Sequence, residues 1–392
     1  MEGKRVRGAI TGFFSGLRDL WIAIGITLLA FALLEWAYVG QLAVRERMRG
    51  SDEVRAAREP GHPYAGQEWY PEFLAARDAT REKYDAWRGY WAYPTASRYL
   101  NVDSAGYRLT VQPAGAQSAT RTVFLLGGSA MWGFTARDSM TIPSLVASGL
   151  RAAGFGDVAV INMAQPGYTI GHELATLTRE LSRRGPPDVA VFFDGINDIR
   201  TTQLAGEPGH AFFEGRFGRL YEVEAQRGMF GSLLTAGERS RLVGRIGQAL
   251  GVSDPWKTIP QTPETCPRLG RYFRDVHRHA AGLAQSWDFD LLIAQQPNHA
   301  ATRKALTAFE RSFIGPEWHV TFTRDCADAI DSAMSDVAGQ SFVSYTRMFD
   351  ADTASVFIDR YGHVSEVANR RLADALVTEI GARLTRRAAR TP

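Results

Sequence analysis

The 392-residue sequence predicts an α/β protein, a parallel sheet with helices on both faces, preceded by one apolar helix long enough to cross a bilayer. Three observations carry the prediction. From about residue 119 onward, strand-like runs alternate with segments of helical spacing. The runs are apolar throughout rather than at every second position, as in strands buried on both faces. From Leu20 to Val44 the only charge is Glu35.

Composition narrows the class. Apolar residues make up 45% and charged residues 22%, the balance of a folded globular chain. A net charge of +3 is small for this length, and no Lys/Arg block with interleaved aromatics is present. Nucleic acid is therefore not an expected partner. Cys266 and Cys326 lack metal-binding or redox-motif spacing. One disulfide, if the domain is exported, and two buried thiols are equal readings.

Residues 1–19 form a short basic tail and residues 20–44 the anchor, with Trp21 at one end and Trp36 and Tyr38 at the other. A cleaved signal is the main rival, but Glu35–Val39 offers a poor small-x-small cleavage site. Lys4, Arg5, Arg7 and Arg18 precede the segment, and Arg45, Arg47, Arg49, Arg55 and Arg58 follow it. That near-tie leaves orientation open. The expectation is a single-pass inner-membrane protein with its large domain outside the cytoplasm. Residues 45–118 read as a juxtamembrane linker and an aromatic-rich segment that packs on the main domain. Trp69, Tyr70, Phe73, Tyr84, Trp87, Tyr90, Trp91 and Tyr93 make it too apolar for a free linker.

The main domain, 119–385, is expected to hold strands at 122–128, 158–164, 188–195, 290–297 and 341–348. Helices are expected at 141–154, 170–185, 271–287 and 365–384. Residues 200–265 fit no place in the alternation and read as an insertion. Parallel strands set their C-terminal ends side by side, and ligands bind at that edge. Ser129 follows the first strand, Gly167 the second and Asn197 the third, while Asp359 and His363 precede the last helix.

Chemistry offers these residues roles. A serine hydroxyl needs a base to attack a carbonyl, and a histidine base needs a partner that fixes its tautomer. The backbone N–H groups of Ser129 and Gly167 and the side-chain amide of Asn197 are candidate donors to the oxyanion. The alternative for Ser129 is a helix cap, and for Asn197 a turn residue.

The four segments "GGSAMWG", "NMAQPGYT", "DGIND" and "DRYGH" resemble, in order, the four blocks of the SGNH (GDSL-type) hydrolase superfamily. The resemblance covers roughly residues 119–385. It implies a flavodoxin-like α/β/α sandwich, Ser129 as nucleophile, His363 as base and Asp359 as its partner. It also implies an oxyanion hole from Ser129, Gly167 and Asn197. The stretch 295–309 is similar to a bacterial subgroup of that superfamily. Two features depart from the usual pattern. Gly128 stands where Asp is common, as in other Gly-Gly-Ser members. Asp359 lies four residues before His363 rather than three, which leaves Asp352 or a backbone carbonyl as alternative partners.

The resulting expectation is a serine ester hydrolase acting on O-acyl, most simply O-acetyl, esters of an envelope carbohydrate or an acylated small molecule. It needs no cofactor and no metal. Rival readings are an O-acyltransferase with the same serine and histidine, and a silent scaffold of envelope polysaccharide machinery. Asp194 and Asp198 read as structural, Asp198 as a helix cap. His172, His277, His279, His299 and His319 read as surface or core residues. Trp132 reads as either a pocket wall or a loop cover.

Overall fold

The computed structural model describes residues 2–57, 61–114, 118–212, 240, 242–243, 245–246 and 261–390. The chain divides into two units, Met1–Asp52 with Gly215–Lys257, and Glu53–Glu214 with Thr258–Pro392.

The first unit takes in α1 (Glu2–Ala56) as far as Asp52, a helix that runs through both the basic tail and the expected anchor. Its Phe14–Arg45 portion has a mean hydropathy of 2.0 over its most apolar window, none of it buried. By length and composition it suits a membrane anchor or a signal sequence. Glu35, its lone charge between Leu20 and Val44, accepts hydrogen bonds from Ser240 Oγ (2.7 Å) and Leu242 N (3.1 Å) of the same unit. Of the stretch 200–265 read as an insertion, residues 213–239, 241, 244 and 247–260 lie outside the described residues.

The second unit is the α/β domain. It opens with α2 (Tyr70–Ala79) and an antiparallel hairpin, β1 (Glu82–Asp85) and β2 (Gly89–Ala92). Five strands then form one parallel sheet: β3 (Arg121–Gly127), β4 (Val158–Asn162), β5 (Val189–Asp194), β6 (Asp290–Gln295) and β7 (Phe342–Ser344). Their order is β4-β3-β5-β6-β7, every neighbour parallel. Counted from β3 this is 2-1-3-4-5, the flavodoxin-like order, so the expected fold class holds. The order reverses between β3 and β5, which makes their C-terminal ends the natural place for a site.

The helices are α3 (Ser129–Trp132), α4 (Ile142–Ala152), α5 (Ile170–Arg184), α6 (Ile196–Ala205), α7 (Thr265–Trp287), α8 (Ala308–Ser312), α9 (Glu317–Ala333) and α10 (Glu366–Arg390). α4 packs with α10, while α5 and α9 pack with α7. Alternation along the strands serves both layers. Val123, Leu125, Val191 and Leu292 join the core with Val146, Leu372, Leu376 and Ile380 of α4 and α10. Phe124, Leu126, Phe192 and Ile293 are equally buried between them. Cys266 on α7 and Cys326 on α9 form a disulfide, which settles the choice between bridge and free thiols.

The structure adds elements that the sequence pattern does not show, among them α2, the β1–β2 hairpin, the short helices α3 and α8, α6 and α9. The last expected strand shrinks from 341–348 to Phe342–Ser344, and the helix expected at 271–287 begins earlier, at Thr265.

Candidate active site

β3 is apolar until Gly127, and Gly128 then serves as the N-cap of α3 in extended conformation. Ser129 is the first residue of α3, so its N–H belongs to the open N-terminal turn of the helix. The N-cap is a glycine and has no side chain to cap the helix. The Ser129 Oγ lies 2.6 Å from His363 Nε2. Trp132 is buried rather than exposed, with the Arg108 guanidinium 4.7 Å from its ring centre. Arg108 also donates to Asp138 (2.7 Å) and to the carbonyls of Gly133 and Ala136, tying down the loop that follows the serine.

His363 sits on a closed loop before α10. Ile358 N donates to His363 O (2.8 Å), so four residues, Asp359 to Gly362, bridge the gap. Asp359 Oδ2 lies 2.6 Å from His363 Nδ1. Its other oxygen accepts from the N–H groups of Tyr361 (2.9 Å) and His363 (3.3 Å). Within the loop Gly362 has a φ of +80°, a conformation that favours glycine. Burial pushes the Asp359 carboxyl up, but the His363 ring and these N–H groups outweigh it and hold the carboxyl below its usual range. Asp352, the alternative partner, is instead paired with Arg371 at 2.6 Å.

The segment leading into this loop is held by a buried ion pair. Lys304 Nζ meets Glu310 Oε2 at 2.6 Å with both side chains fully buried. Glu310 Oε1 accepts from Val356 N and Phe357 N (2.9 and 3.2 Å). This places part of the 295–309 stretch directly behind the His363 loop. No spacing rule marks Lys304 and Glu310 in the sequence, because their function is to meet across a turn.

Asn197 is the second residue of α6, and its Nδ2 donates to Tyr168 O (2.7 Å). A primary amide carries a second N–H, which remains for another acceptor. A Cβ on Gly128 would come within 2.2 Å of that nitrogen. Gly167 is in the left-handed region (φ +79°), and a Cβ there would come within 2.7 Å of the Tyr90 hydroxyl. The aromatic segment buttresses this loop. Tyr90 Oη donates to Pro166 O (2.7 Å), Tyr168 Oη to Tyr90 O (2.6 Å), and Ala92 N to the Gln165 side chain (3.1 Å). Its aromatic content marks this segment in the sequence as packed on the domain, while its support of the loop bearing Gly167 comes only from the fold.

The remaining candidates take structural places. Asp198 accepts from Ile170 N (3.1 Å), capping α5, and His172 completes the capping box with Thr169. His277 Nε2 lies 2.7 Å from Ser341 Oγ. His299 is packed edge-on to Phe313 and Phe357, and burial pushes its imidazole down to about 4. His319 contacts Gln203, and burial together with Arg200 and Arg360 lowers its value.

No family model matches the chain, and no curated protein matches it. The chain is similar to solved esterases. One is an acetyl xylan esterase, AlAXEase (14% identity, 66% of this chain and 99% of that chain, TM-score 0.38). Another is the lipase/acylhydrolase from Enterococcus faecalis (18%, 67% and 97%, 0.38). A third is Est24, a carbohydrate acetylesterase from Sinorhizobium meliloti (13%, 67% and 99%, 0.36). These likenesses are distant, and the chemistry below rests on the geometry within this chain.

Proposed function

We propose that this chain is a serine ester hydrolase of the SGNH type, anchored in a membrane by α1, with its α/β domain outside the cytoplasm. The observation that carries the reading is the hydrogen-bonded chain Ser129 Oγ–His363 Nε2–Asp359, set at the reversal point of a parallel sheet. In this reading Ser129 Oγ bonds to the ester carbonyl carbon while its proton passes to His363 Nε2. Asp359 stabilises the imidazolium and keeps Nδ1 as the donor. The carbonyl oxygen becomes an oxyanion facing the N–H groups of Ser129 and Gly167 and the free hydrogen of Asn197 Nδ2. Collapse breaks the bond to the alcohol oxygen, which leaves with the proton from His363. Water, deprotonated by His363, then releases the acid and regenerates Ser129.

The preference for O-acetyl esters of carbohydrate is what the motif resemblance implies. The extracytoplasmic placement is supported by the Cys266–Cys326 disulfide, since such bonds persist mainly in oxidising compartments. The test is fluorophosphonate labelling of the membrane-embedded chain with peptide mapping. Label on Ser129 that is absent from Ser129→Ala supports the reading. A folded chain that takes no label overturns it. Adding sugar acceptors to the labelling-competent enzyme and acetyl donor then separates hydrolysis from acyl transfer.

A further inference from the structure

We propose that Phe134 and Arg77 position the ring of His363 for proton transfer, which makes α2 part of the reacting unit. The inference rests on the esterase reading, because it assigns a role in moving the Ser129 proton. The Phe134 ring is stacked on the His363 ring, with centroids 5.0 Å apart and planes 24° apart. The guanidinium carbon of Arg77 lies 4.5 Å from the Phe134 centroid. Arg77 is itself fixed by Asp78, to which Nε and Nη2 donate at 3.0 and 2.7 Å.

The physical need for such a contact follows from the hydrogen bonds. The N–H and the lone pair of an imidazole both lie in the ring plane, and here the two ring nitrogens meet Asp359 Oδ2 and Ser129 Oγ at 2.6 Å each. These two bonds resist only weakly a small turn of the ring about its Cβ–Cγ bond. Such a turn carries the ring out of that plane and swings the Nε2 lone pair away from Ser129 Oγ. A flat partner against the ring face blocks that motion, and Phe134 is such a partner. Phe134 lies on the loop just after α3 and is itself only partly buried, so it needs a restraint of its own. A guanidinium over an aromatic ring supplies one, and it is stronger when the cation is desolvated. The Arg77 side chain is only 9% exposed. Three elements distant in sequence, α2, the loop after α3 and the loop before α10, thus converge on one imidazole.

The competing account is that Phe134 is only a wall of the acyl pocket. A wall acts on KM, whereas a positioning residue acts on kcat. The test uses the full chain in nanodiscs, with p-nitrophenyl acetate as substrate and the low-field proton resonance of His363 Nδ1–H as a second readout. Phe134→Leu should lower kcat about tenfold with KM nearly unchanged, and should broaden the resonance. Phe134→Tyr, which keeps the flat ring, should restore both. Arg77→Met should lower kcat about threefold, with partial rescue by Arg77→Lys. Wild-type kcat in Phe134→Leu, a loss confined to KM, or no rescue by Tyr overturns the proposal. If Phe134→Leu fails to fold, the Arg77 pair decides by the same criteria. If the wild-type chain hydrolyses no ester, the esterase reading has failed, and the resonance alone decides. A resonance unchanged in Phe134→Leu then overturns the positioning role, and one lost in Leu but kept in Tyr supports it.

Discussion

Gly128 and Asn197 share one space. A Cβ on Gly128 would lie 2.2 Å from Asn197 Nδ2 and 3.2 Å from Tyr168 O, the carbonyl that orients that amide. The Asp common at this position in the superfamily pattern has no room here without moving the amide. The clashing atom is the far end of a side chain, so relief is structurally cheap but displaces the proposed oxyanion donor. Gly128→Ala should therefore lower kcat for acetyl ester hydrolysis by about 10²-fold, the scale for losing one such donor. Its thermal midpoint should hardly change. An active Gly128→Ala enzyme would remove Asn197 from the mechanism.

Asp359 and His363 give a second test, because one carboxylate serves both the ring and the turn. Asp359→Asn should cut kcat by about 10³- to 10⁴-fold, since an amide permits the wrong imidazole tautomer. Asp352→Asn breaks only the pair with Arg371 and should leave kcat unchanged. Because its folded value is lowered, Asp359 contributes stability above the ordinary carboxyl range and loses it as pH falls through that lowered value. Stopped assays of the two variants side by side check the assignment. Equal activities would point to a backbone partner for His363.

What could be read in the sequence follows physical lines. Strands β3, β5 and β6 were legible because burial on both faces makes them continuous apolar runs. The five candidate site positions were legible from the four segments that resemble the superfamily blocks, each at a strand end or before a helix. α9 was not, since its sequence mixes Trp318, Val320 and Phe322 with charges and breaks no pattern clearly. α2 was hidden among aromatics that pack on several partners at once. The Arg77–Phe134–His363 contact joins residues by tertiary approach, and the Lys304–Glu310 pair closes across a turn; periodicity encodes neither.

A cluster of three buried carboxyl groups lies beneath the Asn197 helix. Glu173, Asp194 and Asp198 are at most 3% exposed. Both oxygens of Glu173 and one each of Asp194 and Asp198 lack a hydrogen-bond donor among the described residues. Burial raises all three, and repulsion among them adds to the rise for Glu173 and Asp198; Asp194 reaches about 7. Tyr272 on α7 faces the same cluster and is pushed up to about 12 by burial and by Asp198 and Asp194. A raised folded value means that, between the unfolded and folded values, the group keeps in the native state a proton that it has released in the unfolded chain. The stabilisation from that proton is fully present below about pH 4 and is lost as pH rises through about 7. Chemical denaturation from pH 5 to 8 should show stability falling with pH. Asp194→Asn, which keeps the shape without the titration, should reduce that slope, with Glu173 and Asp198 supplying the remainder. A slope unchanged in the variant would mean that Asp194 does not carry the proton.

The disulfide offers a test of both stability and location. Cys266 and Cys326 are 60 residues apart in sequence, and their bridge joins α7 to α9. Closing a loop of that length removes denatured-state entropy worth about 4 kcal/mol in the chain-entropy model. Cys266→Ala with Cys326→Ala should lower the unfolding free energy by a few kcal/mol and leave the Ser129–His363 contact intact. Fluorophosphonate labelling of the cool, folded variant should therefore proceed at the wild-type rate. In intact cells the same pair reports on topology. If the α/β domain is exported, neither cysteine should react with a thiol reagent until a reductant is added, since the bridge forms in the oxidising compartment. Thiols that alkylate at once in freshly lysed cells, without reductant, would place the domain in the cytoplasm and overturn the extracytoplasmic reading while leaving the site chemistry standing.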